Sequence, residues 1–333
     1  MHIIKSIVFL FILSSTFSQS KYQKDFEYYW QTVQDNFAYF DLQETNWQEV
    51  KSIYQPIADT ITTDNSFISL LEIINNELYN GHISLNVNLE SSNRLIPTGA
   101  DLWVEYLDGS FKISSVRKDF KADLAGLKKG MQILKFNGVP IDGAIKEFLP
   151  RSVPDYNIQM YEYAANMLLA GRHNTKRSIT TLFNGIEKTF YPDSILNKTE
   201  DDYQRIVEYR IISPDIGYIK INNSLGNVDL IKAFDDALDN LWEAKGLIID
   251  LRETPSGGNT TVARAIMGRF IENEMPYQKH SLPVEEKEFK VKRSWLELVS
   301  PRGKIYKMDL IILVNRWTGS MGEGIAIGFD GMK

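Results

Sequence analysis

The stretch Met308-Asp-Leu-Ile-Ile-Leu-Val-Asn-Arg-Trp-Thr-Gly-Ser320-Met-Gly-Glu323-Gly-Ile-Ala-Ile-Gly328 decides how this chain is read. Leu310 to Val314 is an unbroken run of branched apolar side chains, the pattern of a strand buried on both faces. The run stops at Asn315, and Ser320 follows with Gly319 before it and Gly322 two residues after. Gly324 to Gly328, apolar and small, then reads as a buried helix. A serine on a strand-to-helix turn among glycines is held exposed above a sheet, and the turn aims backbone N–H groups at an incoming carbonyl. Ser320 and Glu323 also fit a capping box, with Ser as N-cap and Glu at N3. Taken alone the stretch favours the cap, because such boxes are common and nucleophiles are rare. The rest of the chain turns the reading toward a nucleophile.

Working back from this stretch, the pattern from residue 216 is β-α-β. Gly217 to Asn222 and Gly246 to Arg252 read as strands, Asp229 to Trp242 as an amphipathic helix between them, and Thr260 to Phe270 as the next helix. Glu253-Thr-Pro-Ser-Gly257-Gly258-Asn259 is a glycine-rich turn at a strand end. The order strand, glycine pair, helix, strand, serine, helix implies a parallel sheet with a site at the strand C-termini. Neither a GxGxxG nor a P-loop lysine is present, so nucleotide binding is disfavoured.

A serine nucleophile needs a base, and beyond His2 the chain holds only His82, His173 and His280. Residues 22 to about 80 read as helices, with apolar stripes at Phe26, Trp30, Val33 and Phe37 and at Phe67, Leu70, Leu71, Ile74 and Leu78. Pro56 limits where the second helix can run. Gly81 ends the third as a C′ glycine, and Ile83 to Leu89 alternates like a strand. His82 thus occupies a helix-to-strand junction, the most rigid of the three histidine positions.

Between these regions, Leu102 to Tyr106 and Phe111 to Val116 read as a hairpin around Asp108-Gly109, and Gln132 to Phe136 as a strand turning at Asn137-Gly138. Ala125-Gly126-Leu127, Gly130, Ile133 and Asn137-Gly138 resemble a PDZ domain in order and spacing. The resemblance implies that a peptide adds as a strand on a sheet edge, with Ala125, Gly126 and Leu127 at the peptide-binding site. Tyr156 to Ala170 reads as a helix, Ser178 to Tyr191 as a hairpin around Asn184-Gly185, and Asp193 to Gln204 as a loop.

The chain has 333 residues, a hydrophobic content of 43%, 16 Tyr and 17 Phe, enough for sizeable packed cores. A net charge of -6 without a long basic run makes nucleic acid an unsuitable partner. The absence of cysteine excludes disulfides, thiolate metal sites and a cysteine nucleophile. Residues 1–18, with Lys5, an apolar core and Ser15-Thr16-Phe17-Ser18, read as a signal peptide. No stretch is long and apolar enough to span a bilayer. The expected location is the periplasm or outer envelope of a Gram-negative bacterium, or secretion.

Taken together, Asp250-Leu-Arg252 with Gly257-Gly258, Asn315-Arg-Trp-Thr-Gly-Ser320-Met-Gly-Glu323, the upstream PDZ-like unit and Asn80-Gly-His82 resemble the S41 serine peptidases, the tail-specific and tricorn-core-like group. The resemblance implies that Ser320 is the nucleophile, His82 the general base, and the N–H groups of Met321 and of the Gly257-Gly258 pair the oxyanion hole. Asp250 and Arg252 are expected to shape the turn. The glycine turn reads Thr-Pro-Ser-Gly-Gly where the family usually has Asn-Pro-Gly-Gly. The chain stops thirteen residues after Ser320, and a helix of that length puts Lys333 about 20 Å away. The base lysine or orienting glutamate that the two branches take from further downstream is therefore absent, which implies a truncated peptidase. The expected architecture is multidomain α+β: signal peptide 1–18, N-terminal helical bundle 19–90, PDZ-like β-rich domain 96–146, connecting helix and hairpin 147–210, and an incomplete C-terminal α/β domain of ClpP/crotonase type over 211–333. Implied partners are peptide or protein substrates, with no metal or organic cofactor. The alternative is a non-catalytic member of the fold that binds peptides or apolar ligands.

Overall fold

The computed structural model describes residues 20–195 and 205–332. The expected signal peptide and Lys333 lie outside the described residues. The protein is a mixed α/β structure with several sheets, and three apolar cores account for its organisation.

The first core is helical. Helix α1 (Lys21–Asn36) starts at a capping box between Ser20 and Gln23. Helix α2 (Trp47–Ala58) starts at Asn46, whose side chain accepts from the Glu49 N–H, and α3 (Asp64–Asn75) starts at Thr63, which accepts from Ser66. Each cap satisfies a donor the helix leaves open. Phe26, Trp30, Val50, Tyr54, Ile74 and Leu78 fill the interior. The two tryptophans lock α1 to α2: the Trp30 indole N–H donates to the Trp47 carbonyl at 2.8 Å, and Trp47 returns the bond to Trp30 at 3.1 Å. Pro56 lies inside α2, which ends two residues later. The strand expected over 83–89 is not formed. Ile83 and Leu85 pack on the helical core as the alternation suggests, but among the described residues no neighbouring strand runs alongside, and alternation alone does not make a ladder.

The second core belongs to a six-stranded sheet. Its elements are β1 (Leu102–Leu107), β2 (Ser110–Val116), α4 (Lys121–Leu124), β3 (Gln132–Phe136), β4 (Val139–Pro140), α5 (Ile141–Ala144), α6 (Ile158–Ala170), β5 (Ile179–Phe183) and β6 (Ile186–Phe190). Strand order is β1-β2-β3-β5-β6, with β4 on β3. Asp108-Gly109, Asn137-Gly138 and Asn184-Gly185 all take positive φ at both positions, the condition for the two-residue turns that suit twisted hairpins. The unit does not stop at residue 146. Strand β5 pairs with β3, and one continuous core runs from Tyr79 to Phe190, so residues 147–190 of the expected connector 147–210 are part of the same body.

Strand β1 is an edge of that sheet, and α6 closes it. Asn166, 1% exposed, accepts from the Val104 N–H at 2.9 Å and donates to the Val104 carbonyl at 3.0 Å. Glu162 accepts from the Tyr106 N–H at 3.1 Å. These side chains occupy the backbone groups that an added peptide strand would use.

The third core contains β7 (Val207–Ser213), β8 (Ile216–Asn222), α7 (Asp229–Asn240), β9 (Gly246–Glu253), α8 (Thr260–Met267), β10 (Met275–Ser281), α9 (Pro283–Phe289), β11 (Ser294–Val299), β12 (Asp309–Leu313) and α10 (Met321–Gly331). The sheet order is β12-β9-β8-β7; β12, β9 and β8 run parallel and β7 antiparallel. Strands β10 and β11 form a separate hairpin. Strand β12 departs from the expectation of burial on both faces. It is a sheet edge among the described residues, and Ile311 is 55% exposed. No helix of the described residues is long and apolar enough to cross a membrane.

Asn166→Ala should lower the unfolding free energy by about 1–3 kcal/mol, since it strands a buried N–H and carbonyl of Val104 together. Urea unfolding checks this; a change within experimental error would show that the edge is not closed by Asn166 in solution.

Candidate active site

The site forms where two turns leave adjacent parallel strands. After β9 comes Thr254-Pro-Ser-Gly257-Gly258, and after β12 comes Asn315-Arg-Trp-Thr-Gly-Ser320. The strand pairing continues into these turns as an isolated parallel bridge between Thr254 and Thr318. The Thr254 N–H donates to the Trp317 carbonyl at 3.1 Å and the Gly319 N–H to the Thr254 carbonyl at 3.2 Å. Both threonine hydroxyls donate to the Leu251 carbonyl, at 2.8 and 2.9 Å. Thr254 is wholly buried.

Glycine makes this approach possible. A Cβ at Gly319 would stand 2.6 Å from the Pro255 carbonyl oxygen, and one at Gly322 would stand 2.4 Å from Thr254 Oγ1. Gly257, at φ 65°, lies directly over the serine: its Cβ would meet Ser320 Cβ at 2.4 Å and both Ser320 Oγ and the Met321 nitrogen at 2.9 Å. Gly258 faces the other way, against Leu225.

Ser320 itself takes φ 49° and ψ −112°. The caps Ser20 and Asn259 have extended backbones, as N-caps normally do. Ser320 is different: positive φ is costly for a residue with a side chain and persists only where the surroundings impose it. The residue is exposed while Thr318, Gly319, Met321 and Gly322 around it are buried. The capping arrangement is present as well. Glu323 Oε2 accepts from the Ser320 N–H at 2.7 Å, so cap and exposed hydroxyl coexist at one residue.

A count of donors narrows which N–H groups face a ligand. The Ser320 N–H is taken by Glu323, and the Gly257 N–H donates to the Thr254 carbonyl at 3.1 Å. Met321, the first residue of α10, has no intrahelical acceptor for its N–H. Among the described residues no hydrogen bond occupies the N–H of Met321 or of Gly258.

His82 arrives from the far end of the chain. Its backbone N–H is fixed by the Asn80 side chain at 2.8 Å, and its Nε2 lies 3.9 Å from Glu323 Oε2. No hydrogen bond joins His82 to Ser320 among the described residues. His280 instead stacks on Trp295 at 5.1 Å and pairs with Glu297, and the His173 N–H donates to the Ser92 carbonyl. Of the described histidines, only His82 is brought to the Ser320 turn.

Asp250 and Arg252 shape the first turn from below. The Arg252 N–H and Nε donate to Asp250 Oδ1, each at 2.9 Å, and Arg252 Nη2 and the Tyr218 hydroxyl donate to Oδ2 at 2.6 and 2.5 Å. Burial works against the Asp250 carboxylate, but the bonds from Arg252 and Tyr218 outweigh it and hold the group below the usual carboxylate range. Burial, with the bond to Asp250, pushes the Tyr218 phenol up to about 12.

The β-rich unit braces both turns from the side. Arg117 Nε and Nη2 donate to Glu253 Oε2 at 2.9 and 2.8 Å, the Thr98 hydroxyl donates to the Pro255 carbonyl at 3.2 Å, and the buried Trp317 indole N–H donates to the Ala100 carbonyl at 2.8 Å. Sequence reading had singled out none of Arg117, Thr254 or Trp317, because each acts through a partner remote in the chain. Ala125, Gly126 and Leu127 are not placed to hold a peptide. Their N–H groups donate to Lys121, Asp123 and Ala122 carbonyls, and Leu127 is buried in the core. Turn closure, not ligand contact, explains that motif here. Among the described residues no cluster of His, Asp or Glu is placed to hold a metal ion.

Residues 215–331 match the family model "Peptidase family S41", and residues 18–75 match that of the "Tricorn protease C1 domain". No curated protein matches the chain. Among solved structures, a photosystem II D1 C-terminal processing protease is similar at 13% identity and TM-score 0.51, over 93% of this chain and 79% of that one. Mature CPAF is similar at 12% identity and TM-score 0.59, over 93% and 81%. Mature CPAF complexed with lactacystin gives 12% and 0.57, over 93% and 82%. At these identities the likeness is one of fold.

Two outcomes test the geometry. Gly258→Ala, whose Cβ would stand 2.1 Å from the Leu225 carbonyl carbon, should cost more than about 2 kcal/mol, whereas Gly226→Ala, with open space around it, should stay within about 0.5 kcal/mol; equal effects in denaturant unfolding would contradict the packing. Asp250 is held below its ordinary value when folded, so its contribution is present at neutral pH and lost as pH falls through the folded value. The stability gap between wild type and Asp250→Asn should therefore shrink toward acid, and a gap that widens there would refute the assignment.

Proposed function

We propose that this chain, whose residues 215–331 belong to peptidase family S41, is a serine peptidase that acts through an acyl-enzyme on Ser320. The observation that carries the reading is the conformation of Ser320. An exposed hydroxyl is held at φ 49° on a turn of buried residues, with Gly257 close above it. A helix cap needs no such backbone; a nucleophile presented above a sheet does.

In the proposed reaction Ser320 Oγ attacks the scissile carbonyl and its proton passes to the imidazole of His82. The carbonyl oxygen, now carrying the charge, is held by the N–H groups of Met321 and Gly258. His82 then returns the proton to the departing amine, and water hydrolyses the acyl-enzyme with the same histidine as base. His82 stands beside the turn rather than on the hydroxyl, and catalytic hydrogen bonds often tighten only once substrate is bound. Peptide or protein chains are the substrate class, and export from the cytoplasm, from the character of residues 1–18, is part of the same proposal.

The β-rich unit enters this reading as a gate more than a reader. Addition of a peptide to β1 requires Asn166 and Glu162 to release Val104 and Tyr106. Its bonds to Glu253, Pro255 and Trp317 meanwhile connect it to the turns that carry Gly258 and Ser320.

Ser320→Ala should abolish peptide hydrolysis while leaving the far-UV spectrum and melting temperature unchanged. Turnover that survives the substitution would overturn the proposal, and a wild-type chain that binds peptides without cleaving them would favour the non-catalytic alternative.

A further inference from the structure

The turn that carries Gly258 is fixed at its base by the buried bonds of Thr254, but its outer limb is not buried. Ser256 and Gly258 are both exposed. What holds this limb is the segment that leaves β8, where residues 222 to 225 bond alternately to two sides. The Asn222 N–H and the Ser224 hydroxyl donate to the Ile206 carbonyl, just before β7, at 3.1 and 2.7 Å. The Asn223 N–H donates to the Glu253 carbonyl at 2.6 Å, and the Leu225 carbonyl accepts from the Asn259 N–H at 3.2 Å. The Asn223 side chain adds a reciprocal pair. Its Oδ1 accepts from the Ser256 N–H at 2.9 Å, and its Nδ2 donates to Ser256 Oγ at 3.0 Å.

Asn223 stands at φ 48°, a conformation that is costly for a residue with a side chain, although asparagine tolerates it better than most. Such a backbone persists where its surroundings impose it, and it clusters at functional sites. Both bonds to Ser256 lie at an exposed surface, where they replace bonds to water and add little to stability. Folding alone gives a poor reason for a strained residue that spends its whole side chain on one exposed neighbour. Resting on the reading of Ser320 as nucleophile, we propose that Asn223 is a positioning residue, which acts through Ser256 to keep the Gly258 N–H directed at the developing oxyanion. It touches neither substrate nor the reacting atoms. Asn223 clamps the turn before Gly258, the Leu225–Asn259 bond clamps it after, and Gly258 packs on Leu225 with no room for a Cβ. The peptide unit between the clamps then has little freedom to turn its N–H away, and a donor fixed in advance is what stabilises an oxyanion.

The test uses the whole chain and a fluorophosphonate. The Ser320 oxygen bonds to phosphorus as fluoride leaves, and the phosphoryl oxygen gains charge on the way, so the rate of adduct formation reads the oxyanion donors without a known substrate. Asn223→Gly removes the side chain and keeps a backbone suited to positive φ. The rate should fall about tenfold, less than the roughly hundredfold or more that outright loss of a donor costs. The melting temperature and the midpoint of the pH–rate profile should stay unchanged, because the base is untouched. Where a cleavable peptide is available, kcat should fall with KM constant. Ser256→Ala loses only the hydroxyl bond and should slow the reaction less; combined with Asn223→Gly it should add no further loss, because the two side chains act through each other. A normal rate for Asn223→Gly, a shifted midpoint, a rate lost only in step with the melting temperature, or losses that simply multiply in the double variant would each overturn the inference. A wild-type chain that forms no adduct at Ser320 is a separate failure, which would overturn the nucleophile itself and this inference with it.

Discussion

Everything at this site depends on two backbone turns approaching more closely than side chains would allow. The β9–β12 pairing does not stop where the strands stop. It runs on through Thr254 and Thr318, whose hydroxyls share the Leu251 carbonyl. Gly257, Gly319 and Gly322 each stand where a Cβ would lie under 3.0 Å from the opposing turn, a distance well inside van der Waals contact. Packing this tight leaves Ser320 little freedom. The turn imposes positive φ, and that conformation lifts the hydroxyl out of an otherwise buried ring of residues. The strain at Ser320 is offset by the buried threonine bonds and the Trp317 anchor around it.

The same constraint explains why the β-rich unit matters to a site it does not line. Glu253 and Pro255 flank the first turn, Trp317 lies in the second, and all three are held by residues between Thr98 and Arg117. The hydrogen bond from the buried Trp317 indole to Ala100 and the Arg117–Glu253 ion pair, largely out of solvent at both ends, are of the kind that costs several kcal/mol to leave half-made. Displacement of this unit would therefore be felt at Gly257 and Ser320 directly. Asn166 and Glu162 seal the β1 edge of this unit.

Much of this was legible in the chain because local chemistry set it. The dipeptides Asp108-Gly109, Asn137-Gly138 and Asn184-Gly185 mark three hairpin turns, and branched runs mark β8, β9 and β12. The serine with its neighbouring glycines was visible for the same reason: a tight turn demands small residues at fixed offsets. Partnership was not legible. The alternation over 83–89 promised a strand, but a strand needs a neighbour, and sequence periodicity reports only which side chains face the core. Strand β12 looked buried on both faces and is an edge. The β-rich unit was expected to end at residue 146 because the helix and hairpin beyond it carry no mark of belonging to the earlier sheet; β5 closes on β3 across more than forty intervening residues. Glu323 was read as a cap, which it is, and nothing in the chain tells that His82 lies beside it.

The central claim is that Ser320 is an activated nucleophile, and the most direct measurement is to treat the intact protein with a fluorophosphonate and locate the adduct by peptide mass spectrometry. The account predicts a single stoichiometric modification on the peptide that contains Ser320, absent after prior denaturation. Absence of an adduct, or an adduct on a neighbouring serine such as Ser256, would contradict it.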